Sequence, residues 1–159
     1  MEGEVTMKRI FLHLICLSFV IVLLYPCATF AQDCEQWVGK VKSVQGTVEA
    51  KRAGQADWQP AQLNDIFCPG DMIRVGEQSR ADLALANQSV LRLDANSEIT
   101  LQGLRGEKTT LVDMFKGAGH FFSRSPRGLE VKTPFTIAGV RGTEFFIGVQ
   151  QNRTLMSVY

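Results

Sequence analysis

Ala81-Asp82-Leu83-Ala84-Leu85-Ala86-Asn87-Gln88-Ser89-Val90-Leu91-Arg92-Leu93-Asp94-Ala95-Asn96-Ser97-Glu98-Ile99-Thr100-Leu101 is the stretch on which the fold turns. Its large apolar residues come in pairs two positions apart: Leu83 and Leu85, Leu91 and Leu93, Ile99 and Leu101. That spacing puts both members of a pair on one face of a strand, because successive side chains of extended backbone point to opposite sides. Asn87-Gln88-Ser89 and Asn96-Ser97 separate the pairs and have turn composition. Short strands at intervals of about eight to ten residues are the rhythm of a sandwich, barrel or solenoid. A helix would need apolar residues at i, i+3, i+4 and i+7, and this stretch does not sustain them.

The same pattern extends in both directions. Upstream, Val38, Val41, Val44 and Val48 surround Gly46 and read as two short strands or as one strand with a bulge. Ala53 to Asp57 is a loop by composition, Trp58 and Leu63 bracket Pro60, and Phe67-Cys68-Pro69-Gly70-Asp71 is a turn feeding Met72, Ile73 and Val75. Downstream, Gly103 to Lys108 is a polar loop. Leu111 to Phe115 and His120 to Phe122 flank Lys116-Gly117-Ala118-Gly119, which predicts a hairpin. Ser123 to Gly128 predicts another turn. Leu129, Val131 and Thr133 alternate up to Pro134, and Phe135, Ile137, Val140, Phe145, Ile147 and Val149 carry the β pattern on. Gly142 interrupts this run, either as a bulge or tight corner or as a point of close backbone approach. The expectation is an all-β chain: one small β-sandwich-like or short β-solenoid domain over residues 32–159. Thr154-Leu155-Met156-Ser157-Val158-Tyr159 reads as a strand with no terminator after it, so the sequence is expected to stop short of a closing strand and leave a free sheet edge.

Met7-Lys8-Arg9, the uncharged run from Ile10 to Leu24 and Thr29-Phe30-Ala31 have the grammar of an export signal cleaved after Ala31. The run is shorter than the ~20 residues of a spanning helix, although an uncleaved anchor, the one route to membrane attachment, stays open. Glu2 and Glu4 suit a signal poorly, so Met7 is the candidate true start. The bulky Leu24-Tyr25-Pro26 before Cys27 argues against lipidation. A periplasmic or secreted location follows. Removal of residues 1–31 leaves Cys34 and Cys68 as the remaining cysteines, and an oxidising compartment favours their pairing. Sequence does not place their Cα atoms, so two free thiols remain the alternative.

Chemistry is sparse. The 17 Lys and Arg against 16 Asp and Glu are interspersed, so nothing electrostatic recruits nucleic acid. After signal removal His120 is the remaining histidine, too few for a metal site or triad, and no nucleophile elbow, zinc-binding helix or phosphate loop occurs. Asp71, Asp82, Asp94 and Asp113 lie beside turns or alternate along strands, as solvated faces and turn caps do. No enzyme activity and no cofactor are expected. Arg141 is a solvent-facing strand residue or a partner contact. Each adjacent aromatic pair must put one ring on each sheet face, so Phe122 and Phe146, or their neighbours, are candidates for an exposed apolar patch. Phe121, Phe135 and Phe145 are expected in the core.

An ordered set of motifs resembles the FecR domain over nearly the whole exported chain. It runs from Val41-Lys42-Ser43-Val44-Gln45-Gly46-Thr47-Val48 through Trp58 and Leu63 to Pro69-Gly70-Asp71-Met72-Ile73-Arg74. Ala81 to Leu85, Leu91-Arg92-Leu93-Asp94-Ala95-Asn96-Ser97, Val131-Lys132-Thr133-Pro134 and Val140-Arg141-Gly142-Thr143-Glu144-Phe145 complete it. Val75 departs from the family's usual Thr, and Asn87-Gln88-Ser89 departs from its usual Asp-Gly-Ser turn, a change tolerable if Asn takes the turn geometry that Gly would. The resemblance implies a small β-rich periplasmic contact domain without catalysis, of the kind that senses a siderophore receptor in iron-uptake signalling. With six residues before Met7, the cytoplasmic anti-sigma segment of the namesake proteins is not carried over. The implied partner is another envelope protein. The alternative is a module binding a cell-envelope glycan, which an exposed row of aromatics on one sheet face would favour.

Overall fold

The computed structural model describes residues 34–106, 109–123 and 128–159. The expected export signal, Glu107 and Lys108 of the predicted loop and residues 124–127 of the predicted turn lie outside them. Among the described residues no helix is long and apolar enough to cross a membrane. The described residues form thirteen strands: β1 (Gly39–Gln45), β2 (Val48–Lys51), β3 (Gln59–Pro60), β4 (Ile66–Phe67), β5 (Asp71–Val75), β6 (Arg80–Leu85), β7 (Val90–Leu93), β8 (Glu98–Arg105), β9 (Thr109–Phe122), β10 (Gly128–Lys132), β11 (Ile137–Arg141), β12 (Glu144–Gln150) and β13 (Arg153–Val158). They make one curled sheet, a half-barrel with two layers on a common core. One layer has the order β4-β1-β6-β7-β9-β12-β13, the other β3-β2-β5-β8-β9-β10-β11. All pairings are antiparallel except β9 with β10.

The layers are joined along a crease. Gly46-Thr47 carries the chain from β1 in the first layer to β2 in the second, Gly76 to Ser79 links β5 to β6, and Asp94 to Ser97 links β7 to β8. These joints lie side by side and hold one another. Thr47 N donates to Ser79 Oγ at 2.8 Å, Gly76 N to Thr47 O at 2.9 Å, and Asn96 N to Gly76 O at 3.2 Å. The Ser97 hydroxyl accepts from Ala118 N and donates to Ala118 O, both at 2.9 Å. Backbone groups that leave the ladder at a bend are thereby satisfied, as buried amides require.

β9 is the fourth joint and corrects the predicted hairpin. Its first half pairs with β8 and β10, its second with β7 and β12, and it bends at Gly117 without reversing. The buried positions are Thr110, Val112 and Met114 before the bend, and Gly119 and Phe121 after it. A change of alternation phase across glycines looks, in sequence, like two strands and a turn. Gly117 has φ +87°, and a Cβ there would overlap the Ser97 backbone, so both the bend and the close approach require glycine.

Inward rows cross each layer in register. Val41, Leu83, Leu91, Phe121 and Phe145 are consecutive cross-strand partners in the first layer. Ala50, Ile73, Ile99 and Met114 make a row in the second. Phe121 and Phe145 are fully buried and stack at 4.7 Å, a pair contributing about 0.5–1.5 kcal/mol beyond its area. Phe135, expected in the core, is 51% exposed in the β10–β11 turn. There the Thr133 hydroxyl accepts from the amides of Phe135 and Thr136, and the tight turn carries the ring outward.

Candidate functional site

The motif residues do not converge on a reactive centre; most of them build joints. Asp71 is fully buried, and its carboxylate accepts from Cys68 N (2.9 Å), Ala53 N (2.8 Å) and the Arg52 guanidinium (3.0 Å). This fixes the turn in which Gly70 takes φ +88° and gives its N–H to Leu101 O at 2.7 Å. Cys34 and Cys68 are disulfide-bonded, with Cα atoms 5.7 Å apart, which staples the segment before β1 to that turn. Arg74 pairs with Glu49 at 2.6 Å and lies 4.2 Å over the Trp58 ring. Gly46 (φ +74°) and Ser97 belong to the crease, Thr133 and Pro134 to the β10–β11 turn, and Phe145 to the core. Gly142 has φ +66°, which supports the corner reading, and with Thr143 it links β11 to β12.

The turn at Asn87-Gln88-Ser89 tolerates its departure by another route than expected. The left-handed residue is Gln88 (φ +72°), whereas Asn87 is buried, with its amide donating to Gly128 O at 3.1 Å and its carbonyl accepting from Ser89 N at 3.0 Å.

What lies exposed is concentrated on one side. Among the described residues, Phe115, Phe135, Ile137, Leu155, Met156, Val158 and Tyr159 account for most exposed large apolar side chains, and all belong to β11, β13 or their surroundings. Among the described residues β11 pairs only with β10 and β13 only with β12, so each presents an edge there. Thr133 Oγ1 and Thr154 Oγ1, 2.7 Å apart, tie the two layers there. The opposite side ends in β3 and β4, two residues each, a blunt edge. Arg141 is exposed at the end of β11.

Phe122 and Phe146 lie half-buried on the outer face of the first layer, while their neighbours Phe121 and Phe145 face the core, as alternation requires. Sequence reasoning missed what gathers around them. His120 stands 4.9 Å from Phe146, 6.0 Å from Phe122 and 6.3 Å from Tyr159, ring centre to ring centre. The Arg92 guanidinium lies 5.6 Å over Phe122 and is held by Asp82 at 2.9 Å. The signal was present in the alternation of β9, since His120 and Phe122 share a face. No cluster of metal-ligating side chains occurs among the described residues.

Compared with models of known protein families, residues 71–159 match the family described as FecR protein, a match running from β5 to the end of the chain given. No curated protein and no solved structure matches.

Proposed function

The chain belongs to the FecR family, and on that premise we propose that it is an exported sensor or adaptor domain that takes an extended segment of another envelope protein onto its free sheet edge. The FecR family is regulatory and signalling in character, and a disulfide suits an exported protein. Most motif residues serve the scaffold, which leaves the contact surface to the exposed edges, where Val140 and Arg141 of the motif lie on β11. One observation carries the reading: among the described residues β11 and β13 are paired on one side only and carry exposed apolar side chains, whereas β3 and β4 blunt the other side. Edges of that kind accept a strand through main-chain hydrogen bonds, with alternate side chains giving specificity. Envelope or iron-uptake signalling is the setting that family membership favours.

A photo-crosslinking residue at Leu155 or Ile137, compared with one at Gln59 on the opposite edge, tests this in cells. Adducts with one and the same envelope protein from the first two positions, absent from Gln59, are expected. Equal yields from both edges, or crosslinks only between copies of the chain, would contradict it.

A further inference from the structure

The outer face of the first layer carries a pocket, bordered by the Gly142-Thr143-Glu144 part of the family motif and by Tyr159, whose use the edge reading does not require. It is a shallow depression of about 530 Å³, lined by Gln88, Val90, Phe122, Ser123, Gly142, Thr143, Glu144 and Tyr159. That volume falls within the range of about 300–1,000 Å³ usual for small-ligand sites. Its walls are of two kinds. The Phe122 and Tyr159 rings and Val90 are apolar; the Gln88 amide, the Ser123 and Thr143 hydroxyls and the Glu144 carboxylate are polar.

Three features restrict the ligand. The Ser123 hydroxyl is buried, on a residue only 5% exposed, and has no hydrogen-bond partner among the described residues. Thr143 Oγ1 makes only a long contact, 3.5 Å to Tyr159 O, so it too has capacity to spare. Among the described residues the charged side chain of the lining is the Glu144 carboxylate, and the Arg92 guanidinium over Phe122 is paired with Asp82, an arrangement that disfavours a phosphate or any other anion. A simple apolar ligand would leave the hydroxyls and carboxylate unmet. A pyranose satisfies both kinds of wall: its axial C–H bonds form an apolar face for a ring, and its equatorial hydroxyls donate to a carboxylate while accepting from hydroxyls and an amide. Gly142 brings bare backbone to the rim, and Tyr159 is placed over the site by its N–H bond to Glu144 O at 3.0 Å.

We propose that this pocket binds one pyranose ring of a neutral glycan with equatorial hydroxyls, stacked on Tyr159 and Phe122 and hydrogen-bonded through Glu144, Ser123 and Gln88. The test is a titration of ¹⁵N-labelled protein with cellotetraose and, separately, with tetra-N-acetylchitotetraose. Saturable shifts confined to residues 88–90, 122–123, 142–144 and 159 are expected with at least one of them. Tyr159 is 70% exposed, so Tyr159→Ala should leave the melting transition in place while weakening binding about fivefold or more, and Glu144→Gln should act likewise. Leu155→Lys, which alters the edge and not the pocket, should leave saccharide binding unchanged, so failure here is distinguishable from failure of the edge reading. No saturable shift with either oligosaccharide, shifts centred elsewhere, or undiminished binding by both pocket variants would overturn the proposal.

Discussion

Gly117 is the position where a single methyl group costs most. A side chain there meets the Ser97 backbone and must also adopt φ +87°. Left-handed backbone costs a non-glycine residue roughly 1–2 kcal/mol and overpacking about 1–3 kcal/mol. Gly117→Ala is therefore expected to destabilise by about 2–5 kcal/mol in chemical denaturation. Gln88 is the converse case, a side chain where glycine would be unstrained. Gln88→Gly should stabilise by up to about 1 kcal/mol, the relief of strain exceeding the added freedom of the unfolded chain, and the same denaturation midpoint reads it. At the Glu49–Arg74 pair, the hydrogen bond from Arg74 holds the Glu49 carboxyl below the ordinary glutamate range, opposed by desolvation. A folded-state value below the unfolded one means the pair contributes above the ordinary glutamate value and fades as pH falls through the folded one. NMR titration should find Glu49 titrating low, and Arg74→Gln should return it to the usual range. These residues also mark what sequence could not disclose. Gly70-Asp71 was visible as a turn, but that Asp71 is a buried acceptor of three donors depends on Ala53 and Arg52, placed there by the fold rather than by local pattern.

At the scale of elements, alternation located nearly every strand, because one face of each layer is in the core and the other in water. It misjudged β9, where the chain passes from one layer to the other and the buried positions shift from even to odd numbers. A bend and a reversal both use glycine and both interrupt the period, and only the pairing of β9 with four different strands distinguishes them. The aromatic face was half legible: two phenylalanines were placed outward by their neighbours' burial, while Tyr159 and Glu144 reach the pocket through β12–β13 pairing, which no local pattern encodes. The run from Thr154 to Tyr159 was legible as a strand, and among the described residues β13 pairs only with β12. The expected consequence of an edge of this kind is strand templating. Leu155→Lys, which puts a charge on an edge strand, should lower self-association in concentrated solution, read by light scattering, with the melting transition moved little because the residue is 40% exposed.

For the whole molecule, one core serves both layers, so the joints between them decide cooperativity. The disulfide closes a loop of 34 residues, and chain entropy assigns such a bridge roughly 3–4 kcal/mol. Reduction should lower the denaturation midpoint accordingly, and an unchanged midpoint would show that the staple at the Asp71 turn is redundant. On the proposed reading, scaffold and contact surface are largely separate: most of the family's motif residues lie in the crease, the turns and the core, with Val140 and Arg141 on β11 the exception, and most exposed apolar groups lie on or beside β11 and β13. That separation is the central claim, and amide hydrogen exchange with and without the crosslinked envelope partner tests it most directly. Protection should rise at alternate amides of residues 153–158 or 137–141, while the crease around Ser97 and Gly117 stays as it was. Increased protection confined to β3 and β4, or absent from both edge strands, would contradict the account.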